Sequence, residues 1–145
     1  MKIGPKGIAL IQSYERCILH AYMPTPNDVP TIGWGHTRGV AMGDTCTQAQ
    51  ADAWFLEDIA WVEDCVNRAV TAQLAQPEFD ALCSLCFNIG CRAFSGSTLV
   101  KHLNSGDYDA ASAGILAWNK QHGKELAGLT ARRHAEQRLF EETTA

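Results

Sequence analysis

The stretch Phe79-Asp80-Ala81-Leu82-Cys83-Ser84-Leu85-Cys86-Phe87-Asn88-Ile89-Gly90 is nearly apolar all round. A helix without a polar stripe must be enclosed by other elements, so this segment predicts the buried central helix of an all-helical lobe. Pro77 suits its first turn and Gly90 its C-terminal stop. Such a helix needs enough chain to cover it. The 145 residues suffice for one domain with a sizeable core.

The rest of the pattern supplies the cover. Ile8, Leu10, Ile11 and Tyr14 recur at helical spacing over residues 7 to 16. Thr47-Gln48-Ala49-Gln50 reads as a capping box. It opens a long amphipathic helix through Trp54, Phe55, Ile59, Val62 and Val66. Ser95-Gly96-Ser97-Thr98 offers caps for a short helix through Leu103, and Tyr108 to Trp118 and Leu129 to Phe140 read as two more. Residues 18 to 22 and 29 to 34 read as short strands around Met23-Pro24-Thr25-Pro26-Asn27-Asp28, where two prolines, Asn and Asp exclude a helix. The fold class is therefore α+β and mostly α. The expected organisation is one domain over 1–145, with a small hairpin-bearing lobe at about 15–60 and a long connecting helix. A helical lobe at about 61–145 takes in the N-terminal helix. A cleft between two such lobes suits a polymer.

Charge narrows the function classes. The net charge is -4 and the pI about 5.7, which argues against a nucleic-acid binder. No stretch approaches the ~20 apolar residues of a membrane span. The N-terminal run Ile8-Ala9-Leu10-Ile11 is too short for a secretory core, so synthesis in the cytosol without an export signal of its own is expected. The six cysteines, Cys17, Cys46, Cys65, Cys83, Cys86 and Cys91, show no paired zinc spacing. They read first as small buried hydrophobes. A bridge formed in an oxidising space is the second reading, with Cys17 and Cys46 as the candidate pair across the small lobe.

The chemistry-bearing stretch runs from Glu15 through Tyr22 to Thr31-Ile32-Gly33-Trp34-Gly35-His36. Glu15 falls on the last turn of the first helix, where the macrodipole disfavours a carboxylate. Its placement there calls for a reason. At a helix-to-hairpin junction a carboxyl group can be desolvated and kept protonated, as a general acid must be to protonate a leaving oxygen near neutral pH. Asp28 sits in turn chemistry that equally well binds backbone N–H groups. Thr31 is both a good strand residue and a hydroxyl able to hold a water. His36 reads as a structural histidine paired to a carboxylate, with Asp58 on the long helix as the partner, rather than as a base or metal ligand. Phe87 and Trp118 read equally as core or as apolar surface for a ligand. Arg132-Arg133 reads as a solvated helix face or as a partner for Glu15.

Four blocks carry a resemblance to the phage-type lysozymes, most similar to the lambdoid branch. They are Ile8 to His36; the capping box with Trp61-Val62-Glu63-Asp64; Asp80 to Gly90 with Phe94-Ser95-Gly96-Ser97-Thr98-Leu99; and Gly128-Leu129-Thr130-Ala131-Arg132-Arg133-His134-Ala135-Glu136-Gln137-Arg138-Leu139-Phe140. The resemblance implies a lysozyme-like two-lobed fold and an endolysin that cuts the β-1,4 bond from N-acetylmuramic acid to N-acetylglucosamine in peptidoglycan, with inversion. It implies Glu15 as general acid and Thr31 beside the attacking water. It places Phe87 and Asn88 along the cleft, Trp118 beneath it and Arg132 near Glu15. It requires no metal or organic cofactor. The implied partners are glycan strands, met by a monomer that a separate holin releases from the host cytoplasm toward the periplasm or wall.

One departure stands out. In most members the second carboxylate lies two residues after the hairpin Tyr, where this chain has Pro24. The next carboxylate is Asp28, in a loop one residue longer. A lytic transglycosylase, which works with one Glu, is therefore the nearest alternative, and a non-catalytic wall-binding module is the next.

Overall fold

The computed structural model describes residues 1–121 and 123–142. In chain order the elements are α1 (Pro5–Tyr14), β1 (Ile18–Tyr22), β2 (Thr31–Gly33), α2 (Gln48–Ala69), α3 (Gln76–Ile89), α4 (Cys91–Ser95), α5 (Thr98–Asn104), α6 (Tyr108–Ile115), β3 (Lys120–Gln121), β4 (Lys124–Glu125) and α7 (Ala127–Phe140). Among the described residues this is an α+β architecture, mostly α. The chain divides into two compact units, Met1–Ile11 with Val62–Ala145, and Gln12–Trp61.

The larger unit is organised by α3. Pro77 and every residue from Phe79 to Cys86 are buried on it. The core around it takes in Val66, Phe94, Leu99, Leu103, Ile115 and Phe140. Asp80 accepts from the Gly4 N–H at 2.9 Å and from Gln76 Nε2 at 2.7 Å. Gly7 lies where α1 meets α3, and a Cβ there would fall 2.9 Å from Asp80 Cβ. Gly90, at φ 92°, ends α3 while its N–H bonds Cys86 O. Ser97 caps α5 by accepting from the Val100 N–H at 3.3 Å.

The smaller unit is built on the hairpin of β1 and β2 and on the start of α2. The strands pair antiparallel, Ile18↔Gly33 and Tyr22↔Thr31, with an irregularity between. A bridge from His20 to Thr45 adds a third segment beside β1. The capping box at the start of α2 is reciprocal: Thr47 N donates to Gln50 Oε1 at 2.8 Å, and Gln50 N to Thr47 Oγ1 at 3.1 Å. The β3–β4 ladder, Lys120↔Glu125 and Gln121↔Lys124, falls where the sequence carried no strand signal.

The cysteines correct the expectation. Cys65 on α2 and Cys91 at the start of α4 form a disulfide, with their Cα atoms 5.9 Å apart. The candidate pair, Cys17 and Cys46, are free thiols. They are nevertheless neighbours: Cys46 N donates to Leu19 O at 2.9 Å, and after burial the charge of Cys17 raises the Cys46 thiol pKa. The Cys65–Cys91 bridge depends on the sharp end of α3 at Gly90, which no local spacing announces. Cys83 and Cys86 are buried in the core as small hydrophobes, and burial pushes the Cys86 thiol up to about 12.

Opening the Cys65–Cys91 bridge frees a loop spanning 26 residues. Reduction is expected to lower stability by about 3 kcal/mol and to leave lytic activity intact well below the melting temperature. Urea unfolding and a wall-clearing assay, each with and without a phosphine reductant, check this.

Candidate active site

Glu15 follows directly on the last residue of α1 and is half-buried. Seven residues on, at the end of β1, comes Tyr22, opposite Thr31 on β2. The Tyr22 phenol is held protonated above its ordinary range. Burial is the main cause, the charge of Glu15 adds to it, Arg16 opposes, and Asp28 adds again. Two carboxylates, from the end of α1 and from the hairpin loop, thus act on one phenol. Thr31 is buried, and its hydroxyl donates to Val29 O at 3.0 Å. With that proton committed, Thr31 offers a water an acceptor.

The loop between the strands explains the position of Asp28. Asp28 N donates to Thr25 O at 3.2 Å. Pro26 sits at the second position of this turn and Asn27 at the third with φ 68°, the pattern of a type II turn. Both Asp28 oxygens accept from the loop itself: Oδ1 from Val29 N at 2.8 Å and Oδ2 from Thr25 Oγ1 at 3.2 Å. The turn therefore fixes the carboxylate at the foot of β2, three residues before Thr31.

The segment after β2 is a strip docked on α2. Ile32 and His36 exchange backbone hydrogen bonds at 2.9 Å. Gly33, at φ 64°, lies against Ala51, and a Cβ there would come within 3.1 Å of the Ala51 Cβ. Trp34 Nε1 donates to Asp52 Oδ1 at 2.9 Å. His36 Nδ1 lies 2.8 Å from Asp58 Oδ2, and its ring stacks on Trp54 with centroids 4.8 Å apart. The structure thus brings His36 and Asp58 together. The Trp34–Asp52 and His36–Trp54 contacts went unread in the sequence, although a period of three to four along α2 places Ala51, Trp54, Phe55 and Asp58 on one face.

In the larger unit, Phe87 is half-buried and Asn88 exposed on the last turn of α3. Trp118 is half-buried and packs against the core. With Thr98, Leu99, His102 and Gly114 it lines a cavity of about 400 Å³. Arg132 and Arg133 are buried on α7, not solvated. Arg132 Nε lies 3.2 Å from Glu136 Oε2, and its Nη2 donates to Ser84 O at 3.2 Å. Arg133 Nη1 lies 3.1 Å from Glu136 Oε1, and Nη2 donates to Asn88 Oδ1. Ser84 Oγ donates to Glu136 Oε2 at 2.5 Å. Burial pushes the Glu136 carboxyl up, against the pull of Arg133, Arg132 and Ser84. The charged pattern of α7 gave no sign of this network, because Arg and Glu are rarely fully buried unless paired.

Among the described residues no three or more His, Cys, Asp or Glu side chains gather as metal ligands, and no helix is long and apolar enough to cross a membrane.

A mostly helical chain with a carboxylate at the junction of its first helix and a small hairpin has the build of a lysozyme-type glycoside hydrolase. Comparison with known proteins agrees. The phage lysozyme family model matches residues 12–136. The endolysin of Acyrthosiphon pisum secondary endosymbiont phage 1 is 47% identical over 145 residues, covering 97% of this chain and 99% of that protein. The endolysin of Salmonella phage P22 is 41% identical over 145 residues, covering 97% and 98%. The solved muramidase domain of SpmX from Asticaccaulis excentricus superimposes with a TM-score of 0.87 at 35% identity, covering 98% of this chain and 99% of that one. The chain belongs to the phage lysozyme family. It is a muramidase-type hydrolase with the fold of that family.

His36→Ala removes a charge-assisted hydrogen bond and a stacked ring at once. The expected loss is about 2–3 kcal/mol of stability, read by urea unfolding, with turnover of the folded protein much less affected. An unchanged unfolding midpoint together with lost activity would contradict a supporting role for the histidine.

Proposed function

We propose that this chain is an endolysin that hydrolyses the β-1,4 bond from N-acetylmuramic acid to N-acetylglucosamine in peptidoglycan. Glu15 is the general acid. Asp28 and Thr31 position and activate the water. The observation that carries this reading is the hairpin that pairs Tyr22 with Thr31, with Glu15 just past the end of α1 and Asp28 held at the foot of β2.

The proton inventory follows from those positions. Protonated Glu15 gives its proton to the glycosidic oxygen as the bond to the muramyl C1 breaks. Water attacks C1 from the opposite face. One of its protons passes to Asp28, while Thr31, its own proton held by Val29 O, accepts a hydrogen bond from the other. Glu15 ends ionised and Asp28 protonated, and exchange with solvent resets both. This is the inverting scheme, in which the two carboxyl groups stand about 6.5–9.5 Å apart to admit the water. The two hydrogen bonds from the turn hold the Asp28 carboxylate in place at the foot of β2.

Phe87 and Trp118 offer apolar surface to sugar faces, and Asn88 offers hydrogen bonds. His36 and Asp58 hold the hairpin strip on α2. Arg132 supports the site from within the α7 network. No cofactor enters the scheme. The enzyme works as a monomer on glycan strands. It is made in the host cytoplasm and reaches the wall once a separate holin has opened the membrane.

Glu15→Gln keeps the shape of the side chain and removes the proton. Lytic turnover is expected to fall at least about 10³-fold, with the melting temperature within a few degrees of wild type. Clearing of permeabilised Gram-negative cells checks it, and residual lysis at several per cent of the wild-type rate rejects the mechanism. Asp28→Asn is expected to cost about 10²-fold, less than the Glu15 change. Unaltered kinetics in that variant would assign the water to another group and favour transglycosylation by Glu15 alone.

A further inference from the structure

Trp54, Asp58 and Trp61 recur at intervals of four and three along α2, so they share one face. The strip after β2 lays two side chains on that face in the same manner. His36 stacks on Trp54, and Arg38 stacks on Trp61 with its Cζ 4.6 Å from the ring centroid. Asp58 lies between the two stacks. Its Oδ2 is 2.8 Å from His36 Nδ1, and its Oδ1 is 3.9 Å from Arg38 Nη2. The backbone of Arg38 is fixed as well. Val40 N donates to Thr37 O at 3.4 Å, and Gly39 at φ 72° takes the third position of a type II turn.

The inner stack buries His36 and holds the strip in place. The outer stack stays in water, with Trp61 57% exposed and the Arg38 side chain 58% exposed. Among the described residues the Arg38 guanidinium makes no hydrogen bond, since 3.9 Å to Asp58 is too long for one. An oriented guanidinium with unspent donors takes a carboxylate in a two-point contact. An exposed indole offers apolar area to the C–H face of a sugar ring. A peptidoglycan strand carries both groups: sugar rings along the glycan, and free carboxylates on the peptides that hang from muramic acid.

Charge gives the contact a purpose. The chain has a net charge of -4, so its overall field does not draw it to an anionic wall. The unit Gln12–Trp61 has no lysine and two arginines. Arg16 follows directly on Glu15, and Arg38 is the other.

We infer that Arg38 and Trp61 form an accessory docking site for peptidoglycan, the guanidinium taking a stem-peptide carboxylate and the indole an adjoining sugar. The inference rests on the wall-hydrolase reading for its ligand and adds adsorption to it. The site holds the enzyme on an insoluble wall and takes no part in bond cleavage.

The test is co-sedimentation with purified Gram-negative sacculi freed of lipopolysaccharide, in a Glu15→Gln background so that the wall is not digested. Arg38→Gln and Trp61→Ala are each expected to weaken binding about threefold to tenfold. Converting the wall carboxylates to neutral amides with carbodiimide and ammonium is expected to weaken the protein that keeps Arg38 by the same factor and to leave Arg38→Gln unmoved. Unchanged affinity in either variant overturns the inference, and so does an equal loss on amidation with and without Arg38. Arg38→Lys keeps the charge but not the planar fork, and is expected to fall between Arg38 and Gln; it serves if Trp61→Ala melts early. With Glu15 restored, Arg38→Gln is expected to raise the apparent KM for sacculi and to keep kcat. A lowered kcat at unchanged KM would make Arg38 a support of the catalytic hairpin and overturn the docking role. Wall clearing by the wild-type protein is scored separately. Binding that depends on Arg38 without clearing rejects the hydrolase reading alone, and clearing with no dependence on Arg38 rejects the docking site alone.

Discussion

Helix α3 has almost no face open to water between Pro77 and Cys86, and this enclosure governs the larger unit. Each polar side chain on such a helix needs a partner from a neighbouring element, because an unpaired polar group in the interior costs more than a made hydrogen bond returns. Asp80 finds its partner in the Gly4 N–H. Ser84 finds Glu136, and Glu136 requires Arg132 and Arg133 to hold its charge. A single hydroxyl on α3 thus leads to an ion network that fixes α7 in register. At the end of α3 the same network reaches Asn88 on the surface. Apolar burial makes the helix, and the satisfaction of its few polar groups orients the amide.

The smaller unit solves a different problem. A two-stranded hairpin is marginal alone, and this one gains support along α2. Gly33 allows close approach to Ala51, Trp34 bonds Asp52, and His36 bonds Asp58 while stacking on Trp54. With the strip anchored, the loop of the hairpin needs only its own turn chemistry. Pro26, Asn27 and Thr25 provide it and fix Asp28. Pro24 precedes this turn, and the turn sets the Asp28 carboxylate at the foot of β2.

What the sequence discloses is what depends on local pattern. The Thr47–Gln50 capping box, the Pro77 start and Gly90 end of α3, and the Ser97 cap of α5 are each set within a few residues, and all appear where the pattern places them. The family was readable for the same reason, since four blocks in order need no knowledge of contacts. Tertiary chemistry was harder to read. The Cys65–Cys91 bridge forms where α4 begins as α3 is cut short, and Cys17 and Cys46 are not bridged although β pairing makes them neighbours. Arg132 and Arg133 read as a solvated face or as a partner for Glu15, and their burial beside Glu136 and Ser84 appears only in the structure. Tyr22 marks the hairpin in the sequence, and the raising of its phenol pKa by burial and by the charges of Glu15 and Asp28 emerges only from the structure.

The central claim is that water, activated beside Thr31 by a second carboxylate, attacks the bond that Glu15 protonates. Digestion of purified peptidoglycan in water enriched in heavy oxygen tests this most directly, with the new chain ends read by mass spectrometry. Hydrolysis predicts a reducing muramic acid end carrying one heavy oxygen in each fragment released. Unlabelled 1,6-anhydro ends would contradict it, since the sugar's own hydroxyl would then have displaced the leaving group with no water in the step.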